Sequence, residues 1–249
     1  MCLAKTPSAR THLATRSGEA LTKNVTCSRH RQQRENAILE GALKVFGEKG
    51  FEAATVAAMA GAAGVSEATL YEYFGSKEEI LFSIAELYTR REIERMSRIA
   101  PYIHGPREKL RLVIQAYLEF YESNPLYTSV ALLTLKGSRS FIQSPSYETV
   151  REASRPIIDF VKEGMEQGVF RDDLDPYLVR SMVLGFIEHL TIQWLLLGRP
   201  ERISEYRDTI LDMIMRAIGN DRELAAHVAA LEEHNRVMED AAKATHPRT

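Results

Sequence analysis

Apolar residues recur along this chain at three- and four-residue intervals, the spacing that predicts helices throughout. From Gln32 a first stripe carries Ile38, Leu39, Ala42, Leu43, Val45 and Phe46, and Gly47 and Gly50 close it. Phe51 packs behind that turn. Thr55 then caps a short helix with Val56, Met59 and Ala60, since its hydroxyl can accept from an unpaired N–H of the first turn. Gly64 ends this helix in a left-handed turn, and Ser66 at once caps another that runs through Tyr73. Small residues (Ala57, Ala58, Ala60, Gly61) let the two short helices cross closely, and Val65, Leu70 and Phe74 supply their apolar underside. Gly75 breaks the chain. Ser76 and Glu79 form a capping box for a long helix with Ile80, Leu81, Ile84, Leu87 and Tyr88 apolar, which Pro101 stops.

Behind it, Pro106 opens a helix whose broad apolar face (Leu110, Val113, Ile114, Tyr117, Leu118, Phe120, Tyr121) ends near Asn124-Pro125. A shorter helix carries Leu126, Val130, Leu132, Leu133 and Leu135. A loop exposing Phe141 and Ile142 follows, and then one helix from Pro145 to Gln167 that Gly168 closes. The last strong pair is 175–198 and 201–219, joined by Gly198-Arg199-Pro200. The first of the pair is apolar nearly all round, so it must meet a second surface besides its own core. That surface is expected to be a twin subunit. Residues 1–30 are rich in Ser, Thr, Ala and basic residues without a stripe, which argues disorder, and 220–249 hold only a weak pattern (Leu224, Val228, Leu231) before turning polar.

The all-α reading gives three working parts: a compact head at 31–78, a helical domain at 79–219 and the two tails. In the head, two short capped helices joined by Ala-Gly-Val make a helix-turn-helix, whose second helix presents its N-terminal residues to base edges in the major groove. The chain is 249 residues long with a formal charge of −2, so no global basic field announces a nucleic-acid partner. The distribution changes the picture. Lys5, Arg10, Arg16, Lys23, Arg29, Arg31 and Arg34 crowd the N-terminal arm against Glu19, whereas residues 35–80 hold three lysines against eight glutamates. Attraction to DNA must come from the arm and a few placed contacts. The arm either lies along the duplex backbone or minor groove or is a plain tail.

The run from Ile38 through Ile80, with Phe46, Gly50-Phe51, Thr55-Val56, Ala62-Ala63-Gly64-Val65-Ser66, Thr69-Leu70-Tyr71, Tyr73-Phe74 and Ser76-Lys77-Glu78-Glu79, resembles the N-terminal domain of TetR-family transcriptional repressors. That resemblance implies a homodimer on a palindromic operator, released when a C-terminal domain binds a small molecule. By position it implies phosphate contacts from Thr55, Ser66, Tyr71, Tyr73 and Lys77, groups that fix register without reading sequence. Base reading falls to Glu67, Ala68 and Thr69, the first able to accept from cytosine N4 and the others to touch a thymine methyl. Packing is the competing role for Tyr71 and the favoured one for Phe74. Two departures stand out: Glu72 sits where a basic, aromatic or polar residue is more usual, and Ala68 replaces a common glycine.

Residues 166–190 also resemble the C-terminal domain of the family's fatty-acid-degradation regulators, which implies a long-chain acyl-CoA effector. The expected pocket is Tyr117, Phe120, Tyr121, Leu133, Phe141, Phe160, Met182, Phe186 and Trp194, with His189, Gln193 and Glu188 as its polar groups. A two-fold dimer through 175–219 would set two reading heads one turn of DNA apart, about 34 Å. The alternative is a DNA-bound regulator or scaffold gated by a protein partner, with no small-molecule effector.

Catalysis is not expected, because no nucleophile elbow, phosphate loop or dinucleotide fingerprint is present. Asp172, Asp173 and Asp175 lack the glycine and terminal glutamate of a calcium loop, and His189 has no second histidine at helical spacing, so neither metal nor cofactor is expected. Cys2 and Cys27 in a polar arm make no disulfide framework. No signal-peptide pattern opens the chain, and the apolar run at Trp194–Leu197 is too short for a bilayer, so a cytoplasmic protein without membrane partners is expected.

Overall fold

The computed structural model describes residues 11–220 and Arg236, with the backbone alone for 11–28. The first ten residues of the arm, Cys2 among them, and the stripe at Leu224, Val228 and Leu231 lie outside the described residues. The chain divides into two compact units, one through Ile84 and the other from Ala85. This boundary falls inside a helix, beyond residue 78, because Ile80, Leu81 and Ile84 are buried.

Every element of the described residues is helical apart from an isolated bridge between Phe170 and Gly219. The first unit holds α1 (Thr11–Ala53), α2 (Val56–Ala63), α3 (Glu67–Tyr73) and the start of α4 (Lys77–Ile99). α1 corrects the expectation of an irregular arm, since its backbone is already helical from Thr11. The physical reason is propagation: once Ile38, Leu39, Ala42 and Phe46 pack, each preceding residue adds a hydrogen bond without a new nucleus, and no proline stands between Pro7 and Pro101. The helix is interrupted at Gly50 (φ 75°, ψ 167°), and Phe51 stacks on Phe46 with centroids 5.6 Å apart.

Of the small residues on α2, Ala60 is buried. Ala57 and Gly61 are exposed, and the close approach is between Gly41 of α1 and the end of α2. A Cβ on Gly41 would lie 2.7 Å from the Ala63 amide nitrogen and 2.9 Å from its Cα.

The second unit holds the rest of α4, then α5 (Pro106–Ser123), α6 (Pro125–Val130) with a π-helical turn at Ala131–Leu135, α7 (Arg139–Ile142), α8 (Pro145–Ala153), α9 (Arg155–Glu166), α10 (Pro176–Leu197) and α11 (Arg207–Ile218). Two expectations are corrected. The segment at 138–142 is a helical turn capped by Ser138, and its Phe141 is buried against Tyr147, because a capped turn aims one side chain of four inward. The span 145–167 is two helices, since Pro156 supplies no N–H to continue the first and Ser154 turns its hydroxyl back on the Arg151 carbonyl. The core gathers Leu110, Ile114, Leu118, Ile157, Val161, Val183, Ile187 and Leu211, with Phe170 seated flat against Gly164.

Candidate functional site

Local hydrogen bonding builds the reading head. The Thr55 hydroxyl accepts from the Ala58 N–H at 3.2 Å and opens α2; Gly64, at φ 68° and ψ 29°, ends it. The Ser66 hydroxyl accepts from the Thr69 N–H at 3.0 Å and lies 2.9 Å from the Thr69 hydroxyl. Both capping hydroxyls are therefore engaged with their own helices. Leu70 and Phe74 face the core, which leaves Glu67, Ala68, Tyr71 and Glu72 exposed along one side of α3, with Thr69 partly covered. Tyr71 is 55% exposed and does not serve as core.

Lys77 has a structural engagement that spacing did not reveal. Its ammonium donates to the carbonyls of Phe51 at 2.7 Å and Glu52 at 3.3 Å and stands 4.4 Å from the Phe51 ring centroid. It ties the start of α4 to the end of α1, just past the interruption at Gly50. Just before it, the Ser76 hydroxyl accepts from the Glu79 N–H at 3.0 Å, while the Glu79 carboxylate takes the Gly75 N–H at 2.7 Å. Lys77→Met is expected to cost the unit about 1 kcal/mol, read from its denaturant midpoint. An unchanged midpoint would mean that the ammonium contributes no net stability there.

Sequence reasoning missed a shallow cleft where His30, Arg31 and Arg34 of α1 meet Glu72 and Tyr73 of α3. Arg31 lies 5.6 Å over the Tyr73 ring. The available signal was Arg31 and Arg34 at i and i+3 just ahead of the first stripe.

The second unit contains a cavity of about 360 Å³, within the range of small-ligand sites, between α4, α5, α8 and α9. Its inner end is aromatic. Tyr88 stacks on Tyr127 at 4.6 Å, Phe120 meets Tyr127 edge-on at 5.2 Å, and Tyr117 meets Tyr121 at 5.9 Å. Burial pushes the pKa of the Tyr117, Tyr121 and Tyr127 phenols above the ordinary tyrosine value, and a hydrogen bond with Thr89 partly offsets this for Tyr127, so all three stay protonated near neutrality.

Four residues of the expected pocket, Tyr117, Phe120, Tyr121 and Phe160, line this cavity. The others lie elsewhere: Leu133 and Phe186 are exposed, Phe141 packs against Tyr147, and Met182 and Trp194 rest partly buried on the core. His189 is exposed, with its ring nitrogen 3.2 Å from the Gln193 amide, and Glu188 pairs with Lys136. α10 turns Val179, Val183, Ile187 and Thr191 to the core and is not a cavity wall. The wall missed from sequence is α4, through Thr89, Glu92, Ile93 and Met96. Ile93, Met96 and Ala100 continue its stripe past Tyr88 among many charges, which hid them.

Residues 38–84 match the family described as bacterial regulatory proteins, tetR family, and residues 89–217 match the YsiA-like protein C-terminal region. The fatty acid metabolism regulator protein of Bacillus subtilis is 26% identical over 183 residues, covering 74% of this chain and 94% of that one. HTH-type transcriptional regulator HbdR of an Aromatoleum species is 30% identical over 175 residues, covering 68% and 74%. The crystal structure of FadR from Bacillus subtilis in complex with stearoyl-CoA superposes with a TM-score of 0.68 at 26% identity, over 72% of this chain and 96% of that one. The capped helix pair, the helical domain behind it and these matches agree: the chain belongs to the TetR family of bacterial transcriptional regulators.

Proposed function

We propose that this chain is a dimeric repressor that binds a palindromic operator and is released when a small apolar effector enters the cavity between α4, α5, α8 and α9. The observation that carries the reading is the coexistence, in one TetR-family chain, of an exposed α3 face and an apolar cavity of ligand size. Glu67, Ala68 and Thr69 read bases, and Tyr71 and Tyr73 with Thr55, Ser66 and Lys77 meet phosphates. The stearoyl-CoA complex of a relative makes a long-chain acyl-CoA the first effector to test.

A second copy of this chain covers the outer face of α10. Leu178, Ser181, Gly185, His189 and Leu196 fall on one exposed stripe opposite the core, and Gly185 leaves room for a close partner helix. Mobility-shift titration of the chain on its own promoter, with and without stearoyl-CoA, tests release. A complex that persists at saturating ligand argues against acyl-CoA as effector.

On the same DNA, Tyr71→Phe is expected to weaken binding to all sequences alike. Substitutions at Glu67 or Thr69 are expected to change the preferred base by about 1–3 kcal/mol at the position read. Uniform losses at Glu67 and Thr69 would contradict their assigned role.

A further inference from the structure

The cleft where α1 meets α3 holds two arginines without a carboxylate partner among the described residues. Its walls are His30, Arg31 and Arg34 of α1 and Glu72 and Tyr73 of α3, all of them exposed except the half-buried Tyr73. Along α4 the pattern is different: Arg90, Arg95 and Arg98 are each closed by a glutamate one turn away. In the cleft, Arg31 is engaged by the Tyr73 ring, 5.6 Å from its centroid. A ring face steadies a guanidinium but accepts no strong hydrogen bond, so the N–H donors of Arg31 are left for an oxygen.

The place of the cleft supplies that oxygen. α3 is seven residues long, about 10 Å, and the major groove is about 12 Å wide. With Glu67, Ala68 and Thr69 on base edges, the other end of α3, at Glu72 and Tyr73, stands at the wall of the groove, where the phosphates are. Arg31 and Arg34, one turn apart on α1, flank that end, and each can grip a phosphate through two N–H donors. Glu72 on the same rim opposes them, since a carboxylate there repels the backbone that the arginines attract.

We propose that Arg31 and Arg34 clamp the phosphates of the duplex beside the end of α3, with the Tyr73 ring positioning Arg31, and that Glu72 loosens this hold. The clamp rests on the reading of α3 as the helix in the major groove. It adds α1 to the DNA-contacting surface.

Mobility-shift titration of the full chain on its own promoter and on an unrelated duplex, across a salt series, tests it. Arg31→Ala/Arg34→Ala, checked for an unchanged melting temperature, is expected to lose about tenfold or more on both duplexes at about 100 mM salt. Its slope of log affinity against log salt is expected to shrink by about two for each bound head. Should the alanine pair melt early, Arg34→Gln alone leaves the Arg31–Tyr73 contact in place and is expected to shrink the slope by about one. Arg31→Lys/Arg34→Lys keeps the charge and is expected to recover most of the slope. Glu72→Gln is expected to bind both duplexes several-fold more tightly. A loss confined to the promoter, or a variant without these arginines that keeps the slope of the unaltered chain, overturns the clamp while the operator reading stands. An unaltered chain that binds neither duplex overturns both.

Discussion

Alanine in place of Gly41 is expected to destabilise the DNA-reading unit by about 3 kcal/mol and to remove most operator binding with it. An exposed mid-helix glycine replaced by alanine ordinarily gains up to about 1 kcal/mol, so the sign itself discriminates. Here the added methyl would meet backbone, at 2.7 Å from the Ala63 nitrogen and 3.0 Å from the Ala62 carbonyl carbon. Backbone cannot rotate aside as a side chain can. α2 would have to shift as a body, carrying the Gly64 turn and the entry angle of α3 with it. Denaturant unfolding followed by circular dichroism, with operator binding measured alongside, checks this. A variant of unchanged or higher midpoint would show that α1 and α2 do not approach as described.

The pair Leu178→Glu/Leu196→Glu is expected to convert the protein to a folded monomer and to weaken operator binding by about a hundredfold or more. These residues are 68% and 63% exposed, and their separation of five helical turns puts them on one line along α10. In a two-fold pairing each substitution enters the interface twice, so four unpaired carboxylates would face an apolar strip. Neither residue belongs to the buried core, so the helical circular dichroism signal should be retained. Sedimentation equilibrium and a mobility shift on the palindrome read the result. Dimers of undiminished affinity would put the pairing surface elsewhere.

Local chemistry made the head readable from the residues. Thr55, Ser66, Gly64 and Ser76 each act on groups within a few positions, so their spacing alone implies the hydrogen bonds observed at 3.0–3.2 Å. The start of α10 is equally local, with the Asp175 carboxylate accepting from the Tyr177 N–H at 2.8 Å. The cavity was not, because it is an agreement among four helices far apart in sequence. Aromatic bulk on α5 pointed to Tyr117, Phe120 and Tyr121. Nothing local said that the opposite wall is α4 and not α10. Apolar composition misled there: the oily sides of α10 face the core and the exterior, while α4 hides Ile93 and Met96 among glutamates and arginines. Lys77 shows a related limit, since a lysine at a helix start looks the same whether it awaits a phosphate or satisfies carbonyls at residues 51 and 52.

From Lys77 to Ile99, α4 contains neither glycine nor proline. Such a rod, about 35 Å long at 1.5 Å per residue, has no built-in joint at which to bend. Thr89, Glu92, Ile93 and Met96 on its far half touch whatever fills the chamber, and Ile80 and Ile84 on its near half are clamped in the head. One unbroken helix thus supplies both a wall of the chamber and part of the head's own core, with no residue along it that would interrupt its hydrogen bonding.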